Sequence, residues 1–412
     1  MIISYRLKNF YSIGCEGVTI NFGVDGNSPK TDLFIDKGEV AGRISLIESV
    51  IGPNASGKTR ILQGSAFIKY LIVSSYSYRP LSPIPYESHY SSRNKPSEIS
   101  IKFIVDKRVF EYFFAFEAKK IIREDLKEYS RTRERVTSKT LASRKWDKER
   151  ETYILIDKEL GLSNVAELRR NASMVASAMQ KDSPSPLAKL IFDYWNNNVF
   201  MFNLWNHGNM EDSTFASDKL LNKSLHRLLD DKNTLIHEKV KETLSKYDIG
   251  FNDFFKHEFE LPIPTENKRV VYGISHKFLD KEFITYIEHE SSGTKRMVVI
   301  LDSIMNALSA KNGGIAVVDE IDAFLHPEIV EAFVDLFTHP ETNPYKVQLL
   351  FSTHNHRILK FLDSRQIILV EKNNHGSTEA WRLDEMQGVK STDNYYTKYI
   401  TGAYGARPKI TP

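Results

Sequence analysis

The stretch Gly52-Pro53-Asn54-Ala55-Ser56-Gly57-Lys58-Thr59 matches the pattern G-x-x-x-x-G-K-[ST] without a gap. Residues 43–51 before it, Arg-Ile-Ser-Leu-Ile-Glu-Ser-Val-Ile, read as a strand. Residues 58–75 after it are apolar-rich and free of proline, as a helix should be. Strand, glycine-rich turn and helix together make a phosphate cradle. Glycines let backbone N–H groups wrap the phosphates, and the helix presents its positive end to them. Lys58 reaches the outer phosphates as a point charge, and the Thr59 hydroxyl can ligate Mg²⁺. Gly52, Pro53, Asn54, Ala55, Ser56, Gly57, Lys58, Thr59 and the following Arg60 form the candidate nucleotide-binding segment.

Working outward, Gly314-Ile-Ala-Val-Val-Asp319-Glu320 is an apolar strand ending in two carboxylates, a Walker B arrangement. Asp319 would hold Mg²⁺, and Glu320 would position and polarise the attacking water. Adjacent buried acids are costly unless a cation or hydrogen bonds satisfy them. Upstream, Glu290-Ser-Ser-Gly-Thr-Lys-Arg296 opens another helix, with Ser292 lying 27 residues before Asp319. Alone, that run reads as an ordinary N-cap; ahead of Walker B, Ser292 and Gly293 read as a second anion nest. In Leu350-Phe-Ser-Thr-His354-Asn355 a histidine ends a strand 34 residues after Glu320, placed to sense a γ-phosphate. The candidate catalytic residues are therefore Lys58, Glu320 and His354, with Thr59 and Asp319 as the metal ligands.

The rest of the chain sets the frame. Its 412 residues hold one large domain with an insertion, or two domains. Hydrophobic residues at 41% and charged residues at 26% are ordinary for a globular protein, and a net charge of +3 does not argue for nucleic acid. A single cysteine, Cys15, excludes an internal disulfide and a cysteine-based zinc site. The first ten residues alternate like a strand rather than forming a signal peptide, and no apolar run approaches the roughly 20 residues of a membrane span. A soluble cytoplasmic protein is expected, with no membrane partner.

Residues 98–106 and 109–117 suit a hairpin, following an irregular segment at 79–97 that holds four prolines. Residues 118–160 are strongly charged. We take them as a solvated extension, the sharper reading being a surface for nucleic acid or protein. From 162 to 247 the pattern is mostly helical, most clearly over 229–247. Strand-like stretches resume at 251–261 and 268–287. The chain closes with helix 293–310, strand 314–319, helix 326–338, strand 347–352, helix 355–363 and strand 366–371. Such alternation implies a mostly parallel sheet.

The order of P-loop, serine-glycine run, Walker B and histidine resembles the ABC ATPase superfamily. Within it the chain looks like the heads of SMC-type and OLD-like ATPases, and closer still like AAA-labelled ATP-binding proteins of bacterial abortive-infection and other anti-phage systems. The residues carrying the resemblance are Asn9-Phe-Tyr-Ser12, the P-loop, Ser291-Ser-Gly-Thr294, Asp319-Glu-Ile-Asp322 with His326-Pro327, Ser352-Thr-His354 and the ending Tyr399-Ile-Thr-Gly-Ala-Tyr-Gly-Ala-Arg-Pro408. It covers both ends of the chain; the middle, 118–250, matches only in general character.

The resemblance implies an α/β, ABC-type P-loop NTPase head with a mixed or parallel central sheet, an antiparallel β subdomain and a helical insertion. Its halves would be 1–117 and 251–412, with the charged and helical insertion at 118–250. It implies ATP and Mg²⁺ as ligands, hydrolysis of ATP, and a homodimer or higher homo-oligomer in which Ser292 of one copy caps the γ-phosphate held by Lys58 of the other. It also implies a separately encoded effector, such as a Toprim-like nuclease, that the ATPase restrains or activates on phage infection.

Three departures stand out. No glutamine lies between Gln63 and Gln180, so no Q-loop is assigned. Thr294 replaces the second signature glycine, and His326 stands where many ABC proteins carry a D-loop aspartate. A fused Toprim nuclease is not expected, because the 58 residues after His354 hold no Asp-x-Asp, and Ile367-Ile-Leu-Val-Glu371 reads as the last strand of the ATPase sheet. Two rivals remain: a DNA-repair or chromosome-associated SMC-like ATPase that binds DNA, and a nucleotide-dependent scaffold with little turnover; the charged insertion leaves protein, RNA and DNA open as partners.

Overall fold

The computed structural model describes every residue except 27, 30, 133–134, 203–217, 231–233, 248–249, 260–268, 280 and 409–412. Parts of the expected helical stretch 162–247 and strand stretches 251–261 and 268–287, and Arg133 and Glu134 of the charged run, thus lie outside the described residues.

The phosphate-loop strand belongs to a six-stranded sheet. Its order is β12 (Val199–Phe202), β16 (Ile315–Val318), β17 (Gln348–Thr353), β6 (Ile47–Ile51), β18 (Ile367–Lys372) and β19 (Thr378–Arg382). The first five are parallel and β19 is antiparallel. β6 and β16 are buried along their whole length, as strands covered on both faces are; β16 is apolar throughout, whereas β6 buries Glu48 and Ser49. β18 lies directly beside β6, so Ile367–Glu371 is a strand of this sheet.

A second, antiparallel sheet has seven strands. Its order is β11 (Thr152–Asp157), β10 (Val136–Asp147), β9 (Lys120–Arg131), β8 (Arg108–Glu117), β7 (Ser97–Val105), β1 (Ile2–Lys8) and β2 (Val18–Asn21). The β7–β8 hairpin forms as expected. Val105 pairs with Arg108 across two residues, Asp106 and Lys107, that are both at positive φ (48° and 63°).

The charged run corrects the expectation of a solvated extension. β9, β10 and β11 extend the same sheet past residue 117, so no boundary between layers falls there. Glu124 and Arg144, directly opposed across β9 and β10, are both fully buried and paired with each other. Two inward positions are therefore filled by charges, which hides the alternation that would announce a strand.

Two small sheets complete the β structure: β3 (Gly23–Val24), β5 (Arg43–Ser45) and β4 (Phe34–Asp36), and β13 (Phe251–Phe259), β14 (Arg269–Phe278) and β15 (Lys281–Tyr286). Helix α1 (Lys58–Lys69) follows the P-loop and packs between the large sheets, touching β1 and β7 on one side and β16 and β17 on the other. Its last expected turns, Tyr70–Ser74, continue as a π-helix. α2 (Met174–Ala178), α3 (Pro186–Asn197), α4 (Asp218–Leu228) and α5 (Thr234–Tyr247) come from the helical stretch, and α4 and α5 pack on α6 (Ser292–Leu308). α7 (Pro327–Asp335) and α8 (Tyr395–Ile400) close the list.

Two short departures have local causes. β12 interrupts the helical stretch because Val199–Phe202 adds to the free edge of β16. The helix expected at 355–363 is a 3₁₀ turn over His356–Lys360, capped by the Asn355 side chain. Among the described residues no helix is long and apolar enough to cross a membrane.

The fold is thus α/β, with a mostly parallel central sheet, an antiparallel β layer and a set of helices.

Candidate functional site

The P-loop joins β6 to α1 with Ala55 at φ 61° and Gly57 at φ 110°. Left-handed turns of this kind point successive N–H groups toward one concavity. The loop rests on the neighbouring strands. A Cβ on Gly52 would lie 2.1 Å from the Val370 carbonyl oxygen of β18. Thr378 of β19 donates its hydroxyl to the Ser56 carbonyl at 2.9 Å and sits 2.8 Å from the Ser12 hydroxyl. Position 57 must therefore be glycine for space as well as for φ.

Lys58 is almost fully buried, and its Nζ donates to the carbonyls of Gly52 and Pro53 at 2.9 and 3.0 Å. Burial lowers its pKa, opposed by the charges of Asp319, Glu320 and Asp322. Asp319 ends β16 and is itself buried. Desolvation raises its pKa, while hydrogen bonds from the Ser352 and Thr59 hydroxyls favour the ionised form. The Thr59 hydroxyl and the Asp319 carboxylate are thus in contact. This hard-oxygen pair fits Mg²⁺, which takes one or two protein ligands and completes its shell with substrate phosphates and water.

Glu320 follows at φ 48°, in the left-handed region. Its N–H donates to the Ser352 hydroxyl at 2.7 Å, and Ser352 in turn donates to Asp319. One serine of β17 thereby holds both Walker B positions. His354, two residues on, donates its backbone N–H to Asp322 at 3.0 Å. Its imidazole pKa is lowered by burial and then by Lys58, so it is neutral at physiological pH.

A cavity of about 750 Å³ collects Asn54–Arg60, Glu320 and His354. Gly52 and Pro53 line an adjoining cavity of about 520 Å³, which shares Asn54–Ser56, His354 and Lys372 with the first and adds Arg407. Ser292 and Gly293 line neither. They begin α6, whose N-cap is Ser291: its hydroxyl accepts from the Thr294 N–H at 3.0 Å. Arg60 lies over the Tyr11 ring, 4.3 Å from its centroid, and donates to Gln63.

Sequence reading did not place Tyr11, Ser12, Tyr90, Arg93, Lys372 or Thr378 at this site. They reach it from the N-terminal turn, the proline-rich segment and the β18–β19 hairpin. The only available signal was Asn9–Ser12, which the resemblance singled out without a role.

A search of curated proteins finds no match. Among solved structures the chain is similar to the crystal structure of the SmcHead bound to the C-winged helix domain of ScpA, with 16% identity and a TM-score of 0.44. That match covers 94% of this chain and 99% of that one. The family model described as AAA domain, putative AbiEii toxin, Type IV TA system matches residues 49–360, from the strand before the P-loop to beyond His354. With the P-loop, Glu320 and His354 gathered in one cleft, the chain belongs to the family described as AAA domain, putative AbiEii toxin, Type IV TA system.

Proposed function

We propose that this chain binds Mg-ATP along Gly52–Arg60 and hydrolyses it, serving as the nucleotide-dependent switch of a bacterial anti-phage system. The observation that carries this reading is the set of contacts joining Thr59, Asp319, Ser352 and Glu320 at the mouth of the P-loop. Mg²⁺ held by Thr59 and Asp319 would neutralise charge on the β- and γ-phosphates. Lys58 turns from its loop carbonyls to the outer phosphates, Glu320 orients and polarises the attacking water, and neutral His354 donates to the γ-phosphate.

Ser292 and Gly293 lie outside the cavity of their own chain, which fits a head-to-tail pair in which they cap the nucleotide of a second copy. ATP then holds the pair together and hydrolysis releases it, in the cytoplasm, with a separately encoded effector reading the difference. The family's toxin–antitoxin description supports a defensive setting.

The test is steady-state ATPase activity with mass followed by light scattering. Wild type should turn over, Glu320→Gln should hold ATP in a larger assembly, and Lys58→Ala should do neither. If wild type binds no ATP and its mass ignores nucleotide, the reading is wrong.

A further inference from the structure

Arg296 lies on the first turns of α6 and is 2% exposed. Its Nη2 donates to the backbone carbonyl of Glu320 at 2.6 Å. Both polar groups of the Glu320 backbone are therefore held by side chains: the carbonyl by Arg296 of α6, the N–H by Ser352 of β17. They hold it at φ 48°, a strained conformation for a glutamate that persists only where its surroundings impose it.

The guanidinium is also a buried charge beside an acidic cluster. Burial lowers its pKa to about 10, against the raising charges of Glu320, Asp322 and Asp319, so it remains a cation at neutral pH. Such a group is expensive to bury, and a site that uses only its packing would be served as well by methionine or leucine.

The same helix touches the loop after Glu320 a second time. At its start, a Cβ on Gly293 would lie 3.1 Å from the Phe324 carbonyl oxygen. The Ser292–Gly293 turn and Arg296 therefore grip one short loop, 320–324, from one rigid helix.

We propose that Arg296 is a positioning residue for hydrolysis: it fixes the backbone of Glu320 and ties the direction of that carboxylate to the start of α6. Whatever presses on the Ser292–Gly293 turn then also sets the water-polarising group of the same chain. In a head-to-tail pair the pressing group is the nucleotide held by the other copy, so each site would license its partner. This rests on the reading of Glu320 given above.

The test uses the full chain with Arg296→Gln, Arg296→Lys, Glu320→Gln and the double substitutions. Single-turnover rates and Mg-ATP affinity are measured for each, with amide exchange of peptides spanning 319–325 in the nucleotide-free protein. Arg296→Gln should lower the rate about 100-fold, the loss typical of a misplaced transition-state group, with affinity changed less than about threefold. Arg296→Lys should recover part of the rate, and exchange over 319–325 should quicken in both variants.

In the Glu320→Gln background Arg296→Gln should cost nothing further, because both act through one carboxylate. Rate losses that multiply, or a loss confined to affinity, would overturn the proposal. Should Arg296→Gln not fold, Arg296→Lys carries the same cycle. A wild type that hydrolyses nothing defeats the proposed function, while exchange at 319–325 still tests whether Arg296 holds Glu320.

Discussion

Thr378 closes over Gly57 so tightly that a Cβ on the glycine would lie 2.1 Å from the threonine hydroxyl. The contact joins the outermost strand of the central sheet to the turn that wraps phosphates. With Gly57 at φ 110°, two independent constraints exclude a side chain. Gly57→Ala should weaken Mg-ATP binding at least about 100-fold and lower stability by roughly 1–3 kcal/mol. Calorimetric titration and denaturant unfolding read the two effects separately. Thr378→Ser, which keeps the hydroxyl to Ser56, should bind nearly as wild type, and Thr378→Val should not.

Ser352 is the hinge between the two Walker B residues, since it donates to Asp319 and accepts from the Glu320 N–H. Ser352→Ala leaves a buried N–H and a buried carboxylate each short of a partner. The charged bond alone is worth about 1.5–3 kcal/mol. We expect kcat to fall about tenfold or more, with the ATP dissociation constant little changed and Ser352→Thr restoring most of the activity. An alanine variant with wild-type kcat would show that Ser352 does not hold the carboxylates during turnover.

Glu124 and Arg144 form a wholly buried pair in the antiparallel sheet. The network extends to the Tyr112 hydroxyl, the Met174 N–H and the carbonyls of Arg169 and Ala172, so it pins the segment before α2 to the sheet. Arg144→Met strands a buried carboxylate and should cost about 3–5 kcal/mol in urea unfolding. Glu124→Leu with Arg144→Met should be more stable than Arg144→Met alone, because no charge is then left unpaired.

Glu48 sits in β6 beneath the P-loop with no exposed surface. Burial pushes its carboxyl well above the usual 4.5, only partly offset by the charge of Arg382. A raised folded-state value means that the native chain holds a proton the unfolded chain has released. Stability is therefore full below pH 4.5 and is lost as pH rises toward the folded value, by about 1.4 kcal/mol per unit. Glu48→Gln removes this slope. Its unfolding midpoint, compared with wild type, should improve between pH 5 and pH 8; an unchanged difference across that range would mean that Glu48 does not titrate in its buried place.

The amino-acid sequence by itself located the candidate nucleotide-binding residues of this chain. Backbone-driven phosphate binding needs a fixed local pattern, and Gly52–Thr59, Asp319–Glu320 and His354 are each legible at the end of an apolar strand. The parallel β/α alternation of the C-terminal half was legible for the same reason: β16, β17 and β18 each carry a buried apolar run, Ile315–Val318, Leu349–Phe351 and Ile367–Val370.

Only the tertiary structure decided the rest. β9 to β11 were hidden because Glu124 and Arg144 satisfy each other inside the sheet, and no local pattern reveals that two distant charges will meet. Thr378 reached the site through hydrogen bonds with Ser12 and Ser56, 366 and 322 residues away, Tyr11 through contacts with Glu87 and Arg60, and Arg296 through a buried helix face. Long-range register, Cβ clearance and the left-handed turn at Glu320 are properties of neighbours in space, and they exist only once the two sheets have closed around α1.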